Sequence, residues 1–207
     1  MAENLLVMFV KYPKAGCVKS RLAAALGDRE AVRVYKAVTE QLIVAVVPSS
    51  KNASYDMAIA YSPSDAAHDM QTWLSSGIQL MPQSGAHLGE RMQNAFAEGF
   101  DQGYKNIVII GSDCPAVTKE LIIETLQKLK THHVVIGPAA DGGYYLIGLC
   151  RSEPKLLAGI DWSTEHVLKQ TIERCNTLNC SYILLPELRD IDRIEDLAYY
   201  RKQGIML

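Results

Sequence analysis

Four stretches of the chain carry residue types that together suit phosphate chemistry. The first is Lys11-Tyr-Pro-Lys-Ala-Gly16-Cys-Val-Lys19-Ser20-Arg21-Leu22. It leaves an apolar run, turns at Pro13 and Gly16, and enters an amphipathic segment. Lys11, Lys14, Lys19 and Arg21 place cations where the amides of a helix start also attract anions. A diphosphate or triphosphate is the natural ligand. The stretch is only part of a Walker A loop. That motif needs glycine directly before its lysine, and Val18 stands there, which argues against a P-loop ATPase. The bland alternative is a basic surface loop ahead of an ordinary helix.

The second stretch is Gly111-Ser-Asp113-Cys-Pro115, directly after the apolar run Ile107–Ile110. A carboxylate at a strand end, beside a small residue and a proline turn, suits a hard divalent cation. Mg²⁺ or Mn²⁺ is expected, because such an ion takes one or two carboxylates and completes its shell with phosphate oxygens and water. Asp and Pro also favour turns for their own sake. The third stretch is Gly137-Pro-Ala-Ala-Asp141-Gly142-Gly143-Tyr-Tyr-Leu-Ile-Gly148. Its Asp-Gly-Gly permits a tight turn and close approach of backbone to a ligand, and it is also a hairpin signal. Asp141 is a candidate second metal or substrate ligand. The fourth is Gln83-Ser-Gly-Ala-His-Leu-Gly-Glu-Arg91. Arg91 can pair a phosphate and Gln83 can read a base or sugar, or the stretch is a loop with a solvated helix start.

Two further groups read more simply. Trp162 in Asp161-Trp-Ser-Thr164 can stack on a ring, but Ser163 or Thr164 capping the next helix accounts for the motif. Asp190, Asp192, Glu195 and Asp196 form an acidic run at the start of the last helix, where carboxylates complement the helix dipole. Asp192 is a reserve ligand. The histidines are scattered, and no Ser–His–Asp set can be placed.

The elements that must position these residues follow from the alternation of short apolar runs with longer amphipathic ones. Strands are expected at Leu5–Val10, Tyr55–Tyr61, Ile78–Met81, Ile107–Ile110, Val134–Ile136, Tyr144–Leu149 and Tyr182–Leu185. Helices are expected at Lys19–Leu26, Arg29–Val47, Ser64–Ser75, Gly89–Gly103, Thr118 to about Lys130, Thr164–Cys175 and Ile194–Gln203. This alternation predicts a doubly wound α/β fold with a mostly parallel sheet. The tight spacing of Val134–Ile136 and Tyr144–Leu149 adds an antiparallel strand. Ligands in such sheets bind at the carboxyl ends of strands, so the four stretches fall on one edge.

The chain has 207 residues, 48% of them hydrophobic and 21% charged, and a net charge of −2. This is the make-up of one globular domain spanning 1–207. The charge argues against an obligate nucleic-acid binder while leaving room for a local basic pocket. The five cysteines include no C-x-x-C pair, which fits a reducing compartment. Leu5–Val10 is too short for a signal sequence, and no apolar stretch is long enough to span a bilayer. A cytoplasmic location is expected.

Taken in order, K-x-P-x-x-G-x-x-K-S-R-L, L-G-E-R-M, G-S-D-C-P, G-P-A-A-D-G-G-Y-Y-L-I-G-L, D-W-S-T and D-I-D-R-I-E-D-L run from Lys11 to Leu197. The set resembles a bacterial family of uncharacterised, glycosyltransferase-like proteins of the nucleotide-diphospho-sugar transferase type. More distantly it is similar to the molybdenum-cofactor nucleotidyltransferases and the phospholactate guanylyltransferases. The resemblance implies a GT-A type fold and a loop after the first strand that wraps nucleotide phosphates. That role falls on Gly16, Lys19 and Arg21, with Lys11 and Ser20 in the same motif. Ser20 stands where threonine is the commoner family residue. The resemblance also implies that the aspartate of Gly111-Ser-Asp113 binds the metal.

The expected function is a metal-dependent transferase using a nucleoside triphosphate or nucleotide-sugar. The transfer is nucleotidyl or glycosyl, to a small-molecule acceptor. Lys19, Arg21, Asp113 and Asp141 would carry the chemistry. Lys11, Gly16, Ser20, Gln83, Arg91, Gly111, Gly142 and Gly143 would help to hold the nucleotide. The alternative is a non-catalytic nucleotide-binding or regulatory domain that kept the fold. Whether the chain self-associates into a homo-oligomer is left open by the sequence.

Overall fold

The computed structural model describes residues 2–48, 53–74 and 77–205. The strands are β1 (Asn4–Lys11), β2 (Asp56–Ser62), β3 (Gln79–Pro82), β4 (Asn106–Ile110), β5 (Val134–Pro138), β6 (Tyr144–Leu149) and β7 (Tyr182–Leu184). The helices are α1 (Ser20–Leu26), α2 (Asp28–Val46), α3 (Ala67–Trp73), α4 (Leu88–Asp101), α5 (Lys119–Lys128), α6 (Val167–Thr177) and α7 (Ile194–Lys202).

The strands form one sheet in the order β3-β2-β1-β4-β6-β5-β7. Neighbours pair in parallel except around β6, which runs antiparallel to both β4 and β5. The short Ala139–Gly143 turn forces this. A parallel return needs a crossover of a dozen or more residues, and the turn between β5 and β6 has room only for a hairpin.

Side-chain alternation along β1 divides the core between two faces. Leu6, Met8 and Val10 meet Leu42 and Val46 of α2, Met70 of α3, and Ile122 and Leu126 of α5. Leu5 and Val7 meet Met92 and Phe96 of α4 and Cys175 of α6. Helices therefore cover both faces, as the doubly wound reading expects. A third cluster joins Leu22 of α1, Val34 and Val38 of α2, and Leu197 and Tyr200 of α7. It ties the last helix to the helix that follows the basic stretch.

The elements lie close to their expected positions, with three instructive departures. The segment expected to be helical over Ser64–Ser75 starts as a 3-10 turn at Ser64–Ala66 and becomes α-helical only at Ala67. Its last expected residue, Ser75, lies outside the described residues. The helix expected from Thr164 starts at Val167 instead, with His166 as N-cap and no side-chain cap bond. Thr164 Oγ1 is used in a local turn, donating to the Asp161 carbonyl and accepting from the His166 amide. Ser163 sits in the left-handed region at φ 66. Finally, a 3-10 turn at Pro154–Leu157 was not expected. Leu156 and Leu157 are buried by it, so packing decides this segment rather than any periodic pattern.

Candidate functional site

β1 ends at Lys11, β2 at Ser62, β3 next to Gln83 and β4 at Ile110, all on one edge of the sheet. β6 begins on that edge because it runs backwards. A cavity of ≈1280 Å³ opens there, above the usual range of roughly 300–1,000 Å³ for a small-molecule site. It has room for a nucleotide and an acceptor together.

Eleven of the twelve residues expected in the site line this cavity: Lys11, Gly16, Lys19, Ser20, Arg21, Gln83, Arg91, Gly111, Asp113, Asp141 and Gly143. Gly142 does not. Its close approach is to backbone rather than to a ligand: a Cβ there would lie 2.3 Å from the Glu165 carbonyl oxygen, and φ is +90. The Leu168 amide donates to the Gly142 carbonyl at 2.9 Å, so this glycine docks the β5–β6 turn against the start of α6. The Gly143 amide donates to Asp141 Oδ1 at 2.9 Å, which fixes the exposed aspartate at the tip of the turn.

The centre of the site is an ion cluster. Lys19 Nζ lies 3.0 Å from Asp113 Oδ2 and 3.1 Å from Asp192 Oδ1, and the lysine side chain is 5% exposed. Arg21 Nη1 holds the other oxygen of Asp192 at 3.0 Å. Burial disfavours the Lys19 ammonium, but Asp113 and Asp192 outweigh it and raise its pKa. Next to the cluster, Asp190 Oδ1 is buried with no hydrogen-bond partner among the described residues. Burial, reinforced by Asp113, Asp141 and Asp192 and opposed by Lys19, pushes Asp190 up to about 7.

The expectation that Asp190 merely serves the dipole of α7 is therefore corrected, and Asp192, held in reserve as a ligand, lies in the cluster itself. Service to the dipole falls on Asp196, whose Oδ2 accepts from the Asp192 and Arg193 amides at 3.1 and 2.8 Å. Lys19, expected on phosphate, instead sits on the carboxylate expected to take a metal.

Two tyrosines brace this arrangement. Tyr35 of α2 is buried; its hydroxyl accepts from the Lys11 amide at 2.9 Å, donates to the Lys11 carbonyl at 3.0 Å and lies 3.1 Å from Ser112 Oγ. It thus ties the end of β1 to the turn that carries Asp113, and burial raises its own pKa to about 12. Tyr200 of α7 donates to the Arg189 carbonyl, while the Ile191 amide donates to the Asp113 carbonyl at 2.9 Å. These bonds bring the aspartates before α7 up to Asp113. Neither tyrosine stands in a recognisable motif. A tyrosine on the apolar stripe of a helix reads as core, and only the fold shows what its hydroxyl reaches.

Across the cavity, Gln83 lines the wall and its Nε2 donates to the Ala60 carbonyl at 2.8 Å. Arg91 Nε donates to the Gly85 carbonyl at 3.1 Å. Trp162, expected to matter little, lines the cavity and packs edge-on to Tyr144 with ring centres 6.3 Å apart. Gly89 makes room for it: a Cβ there would meet Trp162 Nε1 at 2.2 Å. The last expected cation, Lys14, does not line the cavity.

Among the described residues, no three His, Cys, Asp or Glu side chains converge as a protein-only metal site. A phosphate-bridged ion needs less. Asp113 and Asp192 already aim oxygens at one point, the Lys19 ammonium, and Asp190 holds an unpartnered oxygen beside them. This donor set fits a hard divalent ion that shares its shell with phosphate.

The sheet order, the reversed β6 and the cavity at the strand ends define a fold of the nucleotide-diphospho-sugar transferase type. A protein of Desulfovibrio desulfuricans G20, provisionally named a nucleotide-diphospho-sugar transferase, is 34% identical to this chain, with a TM-score of 0.91 over 98% of this chain and 88% of its own. The 4-diphosphocytidyl-2C-methyl-D-erythritol synthase of Anaerococcus prevotii DSM 20548 shares the fold at 8% identity and a TM-score of 0.61, over 97% of both chains. CMP:2-keto-3-deoxy-manno-octonic acid synthetase, solved with CTP, shares it at 11% identity and a TM-score of 0.56, over 98% of this chain and 99% of its own. No protein of curated function matches the sequence. Residues 46–164 match the family described as uncharacterized protein conserved in bacteria (DUF2064), and the chain belongs to that family.

Proposed function

We propose that this protein is a metal-dependent nucleotidyltransferase. In that reaction an acceptor phosphate attacks the α-phosphorus of a nucleoside triphosphate and pyrophosphate leaves. One observation carries the reading: a basic loop after β1 faces a carboxylate cluster, built from the end of β4 and the segment before α7, at a single point of the cavity, where Lys19 meets Asp113 and Asp192. Triphosphate binding wants the first half and a divalent ion wants the second.

Asp113 and Asp192 would hold Mg²⁺ or Mn²⁺, with Asp190 beside them. When bound, the ion neutralises phosphate charge and favours departure of pyrophosphate. The chain's own residues do the rest. Lys11, Lys19 and Arg21 bind the phosphates and offset the charge that develops on them. The backbone around Gly16, Ser20 and Gly111 lets phosphate approach closely. Gln83 and Arg91 orient the far end of the nucleotide. Asp141 and Trp162 face the remaining volume, which suits the acceptor. No protein nucleophile is required, in keeping with a reaction driven by positioning and electrostatics.

Glycosyl transfer is the second reading, favoured by the provisional name of the Desulfovibrio relative. The same ion would then neutralise a nucleoside-diphosphate leaving group, and Asp141 would stand as base near the acceptor.

A thermal-shift panel of nucleoside triphosphates and nucleotide-sugars, each with and without Mg²⁺ or Mn²⁺, tests both readings. A ligand at about 100 times its dissociation constant adds about 2.7 kcal/mol of stability. Metal-dependent stabilisation by a triphosphate is expected. Stabilisation by nucleotide-sugars alone would move the reading to glycosyl transfer, and a flat panel at millimolar ligand would sink it.

A further inference from the structure

Lys19 is required in two places. Nucleotide binding wants its ammonium on the phosphates, yet the structure holds it on Asp113 Oδ2 and Asp192 Oδ1, with 5% of the side chain exposed. Those two oxygens are also the ones a divalent ion would take. The two cations cannot both sit there. The ion needs oxygens at about 2.0–2.1 Å, and at that range an ammonium on the same oxygens would face it across a distance where like charges repel strongly.

The surroundings make a resident cation necessary. Asp113 Oδ2 and Asp192 Oδ1 both point at the Lys19 ammonium, and a buried Asp190 oxygen lies beside them without a hydrogen-bond partner among the described residues, so the centre needs a cation to hold these carboxylates together. Arg21 stays on the outer oxygen of Asp192 and is exposed, so it does not fill the centre. The Lys19 backbone is in the left-handed region, φ 52 and ψ 46, a conformation that side chains disfavour. It persists here together with two ion pairs, and such local strain often marks a place that changes conformation.

We propose that Lys19 and a divalent metal alternate on the Asp113–Asp192 pair. The ammonium holds the two carboxylates together until the metal displaces it, and the freed ammonium then turns to the phosphates. This rests on the metal-dependent reading above. Its consequence is positive coupling: metal releases the lysine that phosphate needs, and phosphate, by holding the lysine away, favours metal to the same degree.

The test uses two readouts that do not depend on turnover. In the wild-type chain, acetylation of Lys19 by an N-hydroxysuccinimide ester, followed by peptide mass spectrometry, should be slow alone. It should speed up several-fold with saturating Mn²⁺ and slow again when inorganic tripolyphosphate is added. In parallel, Mn²⁺ titrations followed by electron paramagnetic resonance should show Lys19→Met binding the ion about tenfold more tightly than wild type, the size of one lost competing charge. Asp113→Asn should lose binding. If Mn²⁺ binds in an Asp113-dependent way but Lys19 labelling does not change and Lys19→Met gains no affinity, the alternation is wrong while the metal reading stands. If wild type and Asp113→Asn bind Mn²⁺ equally weakly, the metal reading falls and the alternation with it. The labelling arm uses the native chain, so it decides the matter even if Lys19→Met does not fold.

Discussion

The carboxylate wall and the basic loop face each other across the same cavity, but they are held very differently. On the wall, Asp113 hangs from the end of β4, and its carbonyl is bonded to the Ile191 amide. The Asp190–Asp192 segment is pinned at one end by Tyr200 and at the other by Asp196. The loop from Tyr12 to Lys19 belongs to no helix or strand. Its backbone bonds are few, among them Lys14 to the Tyr12 carbonyl and Cys17 to the Lys14 carbonyl. Carboxylates that take a metal gain from being fixed in advance, since misplaced ligands lose affinity. Cations that must close over a phosphate gain from freedom to move.

The largest expected effect comes from attacking the wall at its chemical centre. Asp113→Asn should lower metal-dependent turnover by about a thousandfold, as for other losses of charge stabilisation at a reacting phosphate. The circular dichroism spectrum and melting behaviour should stay near wild type. Turnover within a few-fold of wild type would remove Asp113 from the mechanism.

Next comes the turn behind the wall. Gly142→Ala should cost roughly 2–4 kcal/mol of stability by urea unfolding. Its Cβ would meet the Glu165 carbonyl at 2.3 Å, and its φ of +90 is strained for any side chain. Loss of under half a kcal/mol would mean that the β5–β6 turn is as adaptable as the basic loop.

Tyr200→Phe removes the donor to the Arg189 carbonyl and should cost about 1–2 kcal/mol. Because the brace positions Asp190 and Asp192, Mn²⁺ affinity should fall along with stability. A stability loss with unchanged affinity would show that the wall does not need this brace.

The smallest effects lie on the loop and distinguish its cations. Lys11→Ala should weaken triphosphate binding a few-fold, more so at low salt, because Lys11 lines the cavity. Lys14→Ala should change little, since Lys14 does not. Equal losses, read by isothermal titration calorimetry, would mean that the loop reorganises on binding.

Much of the fold was legible in the residues. Apolar runs such as Leu5–Val10 and Ile107–Ile110 mark buried strands by length and alternation. Thr118 announces the helix after it, and its Oγ1 does accept from the Leu121 amide. The reversal at β6 followed from a connection too short to cross over. The helix start near Thr164 was misread because Ser and Thr satisfy turns as readily as caps, and the local hydrogen bonds went to the turn.

The candidate site was legible where a motif sits beside a strand end. Lys19, Arg21, Asp113 and Asp141 were all named from chemistry and position, and all line the cavity. What escaped were residues whose partners are remote in sequence. Asp190 resembled the acidic start of α7, and Asp192 was no more than a reserve ligand, until the packing of α7 on α1 and α2 carried them to Lys19, 173 residues from Asp192. Tyr35 stands in no motif, and only the fold brings its hydroxyl to Lys11 and Ser112. Local sequence determines conformation and exposes short-range chemistry, because φ/ψ preference and turn geometry are set by near neighbours. Which charge meets which across the cavity is set by how helices pack on the sheet. That pairing, and with it the place of Lys19 between two aspartates, was decided by the tertiary structure alone.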